Sequence, residues 1–201
     1  MKKQHLLNFN DPAPDVKVLD VKGKSVSLSS LWVKRPLVLA FTRHFGCTQC
    51  KEMLDELVAG REKIKKAGLD IVVITQGVPQ ETALFMQAHA PGLLAFSDPQ
   101  RRAYLAYGLE RGTIFQTFLN LKVWQALSRS RRKGYLVETP PEGQDAMQMS
   151  GTFIISPQGR ILLPFYYDNI ADHPEFDLLI RGVLATDWTQ PFEGRIGAKS
   201  K

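Results

Sequence analysis

Apolar and polar residues alternate along this chain in blocks that predict strands and helices in turn. Continuous apolar runs are typical of strands buried on both faces, and they occur at 35–43, 69–77 and 94–98. Apolar residues at helical spacing follow each run, which predicts helices over 49–68, 79–90 and 99–109. The first half of the chain is therefore predicted to alternate strand and helix.

The two ends of this pattern predict antiparallel pairs of strands. Residues 15–32 predict two short strands around a Lys-Gly turn and then a helical turn capped by serine, and 151–167 predict a β-hairpin around Pro157–Gly159. An apolar stripe predicts a helix over 113–128, and a last helix is expected over 174–185.

This order of elements predicts an α/β fold with three layers. Parallel strands joined by right-handed helical crossovers form a central sheet, and the closing hairpin makes that sheet mixed. We therefore expect a single thioredoxin-like domain over 1–201, a mixed sheet flanked by helices, and a helical insertion at about 110–150. The basic tail at 189–201 is expected to be flexible.

The composition is that of a soluble globular protein, with 44% hydrophobic and 23% charged residues. No apolar run approaches the roughly 20 residues that cross a bilayer. The start does not resemble a secretory signal, and two cysteines are too few for a secreted disulfide scaffold. A cytoplasmic location without membrane association is expected.

The net charge of +6 is concentrated in segment 121–134, which contains no acidic residue. Such a run is usually a solvated helix end, and nucleic-acid binding is not expected without a basic face rich in aromatic residues or a known motif. Trp124 and the 113–128 stripe are predicted to be core or a subunit interface, so a homodimer is the oligomer to test.

Both cysteines, Cys47 and Cys50, lie in "HFGCTQCK", where a buried strand passes into a helix. The amides and dipole of a helix N-terminus favour a thiolate, which is the reactive form of a thiol. Cys50 shares a helical stripe with apolar residues, so we expect it to be buried and Cys47 to be more exposed. One sulfur can attack a substrate and the other can resolve the intermediate as a disulfide.

Other uses of two cysteines fit the sequence less well. A zinc site needs four ligands, and the histidines are not at ligand spacing. Covalent haem attachment needs a histidine where Lys51 stands, and an inert disulfide is unusual in a reducing compartment. Two small buried hydrophobic residues remain the main alternative.

Arg43 and His44 precede the cysteines and could add positive charge beside a thiolate. Arg43 could hold the thiolate or a peroxide oxygen, and His44 could act as an acid or base. Arg43 could equally be a solvated strand end, and His44 a loop residue without a catalytic role. Near the C-terminus, Asp172 and His173 are expected to cap or support the last helix.

Four segments, one of which contains the two cysteines, give the chain a family resemblance. "DPAPDVKVLDVKGKSVSLSSLW", "FTRHFGCTQCKE", "SDPQRRAYLAYGLERG" and "SGTFIISPQGRI" resemble, in this order, the peroxiredoxin-like branch of the alkyl hydroperoxide reductase/thiol-specific antioxidant superfamily. "NIADHPEF" resembles the closing Asp-His motif of that branch, and the insertion at 110–150 also belongs to it.

The resemblance implies a thioredoxin-like fold with redox-active Cys47 and Cys50 and an antioxidant activity that reduces peroxides or disulfides. It implies no tightly bound cofactor. Reducing equivalents would come from an external thioredoxin- or glutathione-type thiol system or an NADPH-linked reductase. One eukaryotic branch of the family reduces a prostaglandin-type endoperoxide.

The chain departs from the family at two places. Peroxiredoxins carry threonine three residues before the attacking cysteine, whereas His44 precedes Cys47 and Cys47 precedes Cys50 at that spacing. The peroxiredoxin frame would make Cys50 the attacking sulfur and the thioredoxin frame Cys47, which we favour on the expected exposure. Gly151 stands where thioredoxins place a cis-proline. A weak peroxidase, a dithiol reductase and a redox-sensing binding module therefore remain alternatives.

Overall fold

A computed structural model describes residues 6–113 and 121–169 of the chain. The predicted helix over 174–185, with Asp172 and His173, and the basic tail at 189–201 lie outside the described residues. Residues 114–120 of the predicted insertion helix also lie outside them.

Seven strands and four helices follow one another in the described part of the chain. The strands are β1 (Lys17–Leu19), β2 (Ser25–Ser27), β3 (Leu37–Phe41), β4 (Asp70–Thr75), β5 (Leu94–Ser97), β6 (Gly151–Ile155) and β7 (Ile161–Tyr166). The helices are α1 (Thr48–Lys66), α2 (Pro79–His89), α3 (Arg102–Ala106) and α4 (Leu121–Arg132), and Leu28–Leu31 forms a 3-10 turn.

The 3-10 turn differs from the prediction in how it begins. The Ser27 side chain makes no capping hydrogen bond. Instead Asp15 Oδ1 accepts from the backbone N–H of Ser29 at 2.9 Å. A carboxylate from a residue distant in sequence therefore supplies the acceptor that the sequence assigned to serine.

The strands form one mixed sheet in the order β2-β1-β5-β4-β3-β6-β7. β3 pairs in parallel with β4, and β4 with β5, while the remaining neighbours are antiparallel. This confirms the predicted α/β, thioredoxin-like architecture. The central position of β3 places its carboxyl end, which leads into the cysteine loop, in the middle of the sheet edge.

The sheet separates two apolar layers, and β3 contributes to both because its side chains alternate between faces. Val38 and Ala40 pack in the layer beneath α1 and α2. Phe41 packs in the opposite layer against Tyr104 and Tyr107, with ring centroids at 5.0 and 5.2 Å. Burial on both faces explains the continuous apolar run.

Two contacts hold the turn between β3 and α1 in place. Leu54 and Leu57 of α1 are buried against the sheet, and Phe45 stacks on Phe85 of α2 with a centroid distance of 4.2 Å. The start of α1 is therefore anchored on both sides of the cysteines.

The basic segment packs on α1 through one buried acid, Glu52, which is 2% exposed. Glu52 accepts a hydrogen bond from Ser130 at 2.9 Å and pairs with Lys133 and, at 3.7 Å, with Arg129. The predicted solvated helix end is confirmed, because the Arg129 and Lys133 side chains are 50% and 51% exposed, and these two cations also pair with Glu52. Within residues 6–113 and 121–169, no helix is both long and apolar enough to span a membrane.

Glu52→Gln should destabilise the protein by removing the charge that Lys133 and Arg129 share. Burial tends to raise the pKa of Glu52, but the hydrogen bonds from Lys133 and Ser130 outweigh burial and lower this pKa. The carboxylate therefore stabilises the fold above its unfolded pKa of about 4.3, and this stabilisation is lost as the pH falls through the lowered folded pKa.

Urea unfolding should show a loss of about 1–3 kcal/mol at pH 7 for Glu52→Gln and a difference that shrinks below pH 4. Glu62→Gln on the exposed part of α1 is the control and should change stability by less than about 0.5 kcal/mol. Equal effects of the two substitutions would contradict the role assigned to Glu52.

Candidate active site

Cys47 lies at the N-cap of α1, where the backbone is still extended, with φ −80° and ψ 113°. Its sulfur accepts a hydrogen bond from the backbone N–H of Cys50 at 3.3 Å. The Cys47 N–H in turn bonds the carbonyl of His44 at 3.0 Å. The predicted position at a helix N-terminus is thus confirmed, with a helix amide directed at the sulfur.

The two thiols are in contact, with their sulfurs 2.8 Å apart. Cys50 donates to the Cys47 sulfur, and Arg43 Nη1 lies 3.7 Å from the same atom. The Cys50 sulfur accepts from the backbone N–H of Arg43 at 3.3 Å. Cys47 therefore receives three donors, one of them a full positive charge, and Cys50 receives only a neutral one.

These contacts move the pKa values of the two thiols in opposite directions. Burial alone would raise the pKa of Cys47, but the hydrogen bonds from Cys50 and the charge of Arg43 outweigh burial and lower it. Burial and the neighbouring Cys47 raise the pKa of Cys50 well above its usual range. At neutral pH the pair is a thiolate at Cys47 and a thiol at Cys50.

The expected difference in exposure between the two cysteines is wrong. Cys47 is 3% exposed and Cys50 is 5% exposed, so both are buried. The physical reason is a segment that packs over the cysteine loop, and we call residues 138–148 the covering segment. Electrostatics, and not access, distinguishes the two sulfurs.

Backbone and side-chain contacts hold the covering segment against the cysteine loop. The N–H of Glu138 donates to the carbonyl of Gly46 at 3.2 Å, and Gln144 Oε1 accepts from the N–H of Phe45 at 3.0 Å. A methyl group at Gly46 would overlap the Glu138 carbonyl oxygen. Glu138 also pairs with the buried Lys51 ammonium at 2.9 Å.

Arg43 is a buried cation and not a solvated strand end, since it is only 4% exposed. Its Nε donates to the carbonyl of Gln148 at 3.1 Å, and its Nη2 donates to the carbonyl of Ala146. A buried charge is tolerated only when its donors are satisfied, so these carbonyls and the Cys47 sulfur hold the guanidinium in place.

Gln76, at the carboxyl end of β4, is a site residue that we did not predict. Its Nε2 donates to the carbonyl of Arg43 at 2.6 Å, and its Oε1 accepts from the N–H of Asp145 at 2.8 Å. Gln76 thus ties the cysteine loop to the covering segment. The available signal was its position, because parallel β3 and β4 end at the same edge of the sheet.

His44 does not supply the positive charge that the sequence suggested. Burial, reinforced by the charge of Arg43, lowers the pKa of His44 to about 4, so the imidazole is neutral at pH 7. Of Arg43 and His44, only Arg43 is therefore a cation beside the thiolate.

The contacts of Gly151 explain why a small residue stands there. It is paired with Phe41 in the sheet, and a Cβ at this position would crowd the Leu109 side chain and the Phe165 carbonyl. A supporting role in the redox chemistry, by analogy with the cis-proline position, stays a prediction.

Trp124 is 61% exposed, so it does not belong to the core, and a subunit interface at this residue also stays a prediction.

Nothing in the described ranges suggests a metal centre, since no three His, Cys, Asp or Glu residues cluster there. The chemistry available at the site is that of an activated thiolate beside a protonated thiol.

Comparison with known proteins places this site in a family context. The AhpC/TSA family pattern matches residues 9–163. The chain is 27% identical over 184 residues to Peroxiredoxin-like 2C of Bos taurus. The match covers 87% of this chain and 80% of that protein. It is 31% identical to the Thioredoxin-like protein AAED1, chloroplastic, of Arabidopsis thaliana over 48% of this chain and 39% of that protein.

Among solved structures, the fold is similar to that of Peroxidoxin BcpB from Mycobacterium tuberculosis. The TM-score is 0.60 at 20% identity, over 90% of this chain and 96% of that one. This similarity concerns the fold alone.

The thiol assignment predicts a titration that distinguishes the two sulfurs. Absorbance at 240 nm should reveal one thiolate with a midpoint below the ordinary thiol value of about 8.5. Cys50→Ser should keep this transition, because a serine hydroxyl can still donate to Cys47. Cys47→Ser should lose it, and a low-pH transition that survives in this variant would contradict the assignment.

Gly46→Ala should uncover Cys47, because the added methyl group displaces the carbonyl of Glu138. We expect faster alkylation of Cys47 by a bulky maleimide and a loss of about 1–3 kcal/mol in unfolding free energy. Glu142→Ala, at an exposed position of the covering segment, is the control. Unchanged alkylation in Gly46→Ala would show that this segment does not limit access.

Proposed function

The chain belongs to the AhpC/TSA family, and from this membership we propose that it reduces hydroperoxides, with Cys47 as the attacking sulfur and Cys50 as the resolving one. The observation that carries the proposal is the convergence of an amide, a thiol and a guanidinium on the Cys47 sulfur. These donors keep one of two adjacent thiols ionised, which is what nucleophilic attack requires.

The first step transfers oxygen to Cys47. Its thiolate attacks one oxygen of the hydroperoxide, a sulfur–oxygen bond forms as the oxygen–oxygen bond breaks, and the alkoxide or hydroxide that leaves takes up a proton. Cys47 becomes a sulfenic acid. The peroxide is reduced by two electrons, and the sulfur supplies them.

The second step closes the disulfide. The Cys50 sulfur, 2.8 Å away in the reduced state, attacks the sulfenic acid, and the hydroxyl group leaves as water with the Cys50 proton. Two thiols of an external thioredoxin- or glutathione-type reductant then restore the pair and are themselves oxidised to a disulfide. An NADPH-linked reductase would maintain that reductant.

Because both sulfurs are buried, the oxidation and reduction halves of this cycle differ in the access that the reactant needs. A small hydroperoxide needs only a narrow path to Cys47, whereas a protein thiol needs direct contact with a sulfur of the disulfide. We propose that the covering segment moves when the reductant binds. A reducing compartment such as the predicted cytoplasm would supply this reductant, while the chloroplastic relative AAED1 indicates that similar proteins also occur elsewhere.

Substitution of each cysteine tests the proposed roles. Cys47→Ser should abolish hydrogen peroxide consumption in a stopped-flow assay. Cys50→Ser should react once, because its Cys47 sulfenic acid can form but no intramolecular disulfide follows, and dimedone should trap that sulfenic acid.

Peroxide consumption by Cys47→Ser at the wild-type rate would overturn the proposal. A wild-type chain that forms the disulfide with mild oxidants and yet consumes no peroxide would instead favour the redox-sensing module.

A further inference from the structure

The side chain of Gln49 is buried beside the reactive sulfur and is only partly hydrogen-bonded. The residue is 3% exposed, and its Oε1 lies 4.0 Å from the Cys47 sulfur. Oε1 accepts from the hydroxyl of Thr48 at 2.9 Å, which orients the amide. Its Nε2 is buried and has no hydrogen-bond partner among the described residues.

A buried amide N–H without an acceptor destabilises a fold, so its retention calls for a functional reason. Apolar side chains of similar length, such as methionine, would fill the same volume without this cost. Gln49 therefore carries an unused donor on a buried side chain whose Oε1 lies 4.0 Å from the reacting sulfur.

We propose that Gln49 Nε2 donates a hydrogen bond to the oxygen of a hydroperoxide as Cys47 attacks it, and that Gln49 thereby favours peroxides over disulfides as substrates of this site. This inference rests on the proposed peroxide-reducing function. It assigns to a glutamine between the two cysteines the task of orienting the substrate.

Arg43 is directed at the attacking sulfur and at two carbonyls. Its Nε and Nη2 donate to the Gln148 and Ala146 carbonyls, and its Nη1 lies 3.7 Å from the Cys47 sulfur. Arg43 thus stabilises the attacking thiolate. The leaving oxygen also gains negative charge, and Gln49 Nε2 can donate to it, because this buried nitrogen has no partner and belongs to a side chain whose Oε1 lies 4.0 Å from the sulfur.

Among the described residues, His44 Nδ1 is also a buried nitrogen without a partner, and it fits this task less well. His44 is joined to the cysteine loop through its backbone carbonyl, which accepts from the Cys47 N–H. Gln49, in contrast, has a side-chain contact with the Cys47 sulfur itself.

The chemistry makes the role of Gln49 specific to oxygen. When a thiolate attacks a hydroperoxide, an oxygen–oxygen bond breaks and charge accumulates on oxygen, a strong acceptor. When it attacks a disulfide, a sulfur–sulfur bond breaks and charge accumulates on sulfur, a weak acceptor. Loss of the amide should therefore slow the first reaction far more than the second.

Gln49→Met tests this difference in the full-length reduced protein. The second-order rate constant with hydrogen peroxide should fall by about 10- to 100-fold, while the rate with the small aliphatic disulfide dimethyl disulfide should change less than about twofold. The thiolate titration at 240 nm should keep the wild-type midpoint. Gln87→Met, on the exposed face of α2, is the matched control and should leave both rates unchanged.

Thr48→Val provides a second variant, because it removes the hydroxyl that orients the amide and leaves Gln49 in place. Its peroxide rate should fall by less than that of Gln49→Met, again with the disulfide rate unchanged.

Three results would count against the inference or its premise. Equal peroxide rates in wild type and Gln49→Met would overturn the role of Gln49 and leave the proposed function intact. Equal losses with peroxide and disulfide would also overturn it, because they would show a general effect on the thiolate. A wild-type protein without peroxide reduction would overturn the proposed function itself.

Discussion

The contact between the buried guanidinium of Arg43 and the sulfur of Cys47 is the interaction on which the site depends. A cation removed from water needs anionic or carbonyl partners, and Cys47 is the partner that can become an anion. The cysteine loop after β3 and the covering segment both contact this guanidinium. Together with the hydrogen bonds from Cys50, Arg43 therefore favours the thiolate form of Cys47.

The same contact links reactivity to redox balance. The thiolate exists only in the reduced state, so an interaction that stabilises it stabilises the dithiol relative to the disulfide. Arg43 thereby makes Cys47 a better-populated nucleophile and makes the disulfide easier to reduce. A catalytic cycle needs both properties, because a disulfide that resists reduction would stop after one turnover.

The first turns of α1 connect this chemistry to the insertion. Lys51 pairs with Glu138 of the covering segment, and Glu52 is held by Ser130 of α4 and by Lys133 directly after it. Adjacent residues directly after Cys50 therefore bind both parts of the insertion. Two cations of the basic run, Arg129 and Lys133, pair with one buried carboxylate.

Local patterns in the sequence determined the elements of the fold, because the period of apolar residues follows directly from helix and strand geometry. The apolar run of β3, the stripe of α1 and the Cys-x-x-Cys pair at their junction were all predicted within a few residues. The burial of Cys47, the neutral state of His44 and the contacts of Gln76 were decided by the tertiary structure alone. The contacts of the cysteine loop and of Gln76 with the covering segment join residues 105 and 69 positions apart, and no local pattern records which loop a distant segment will cover.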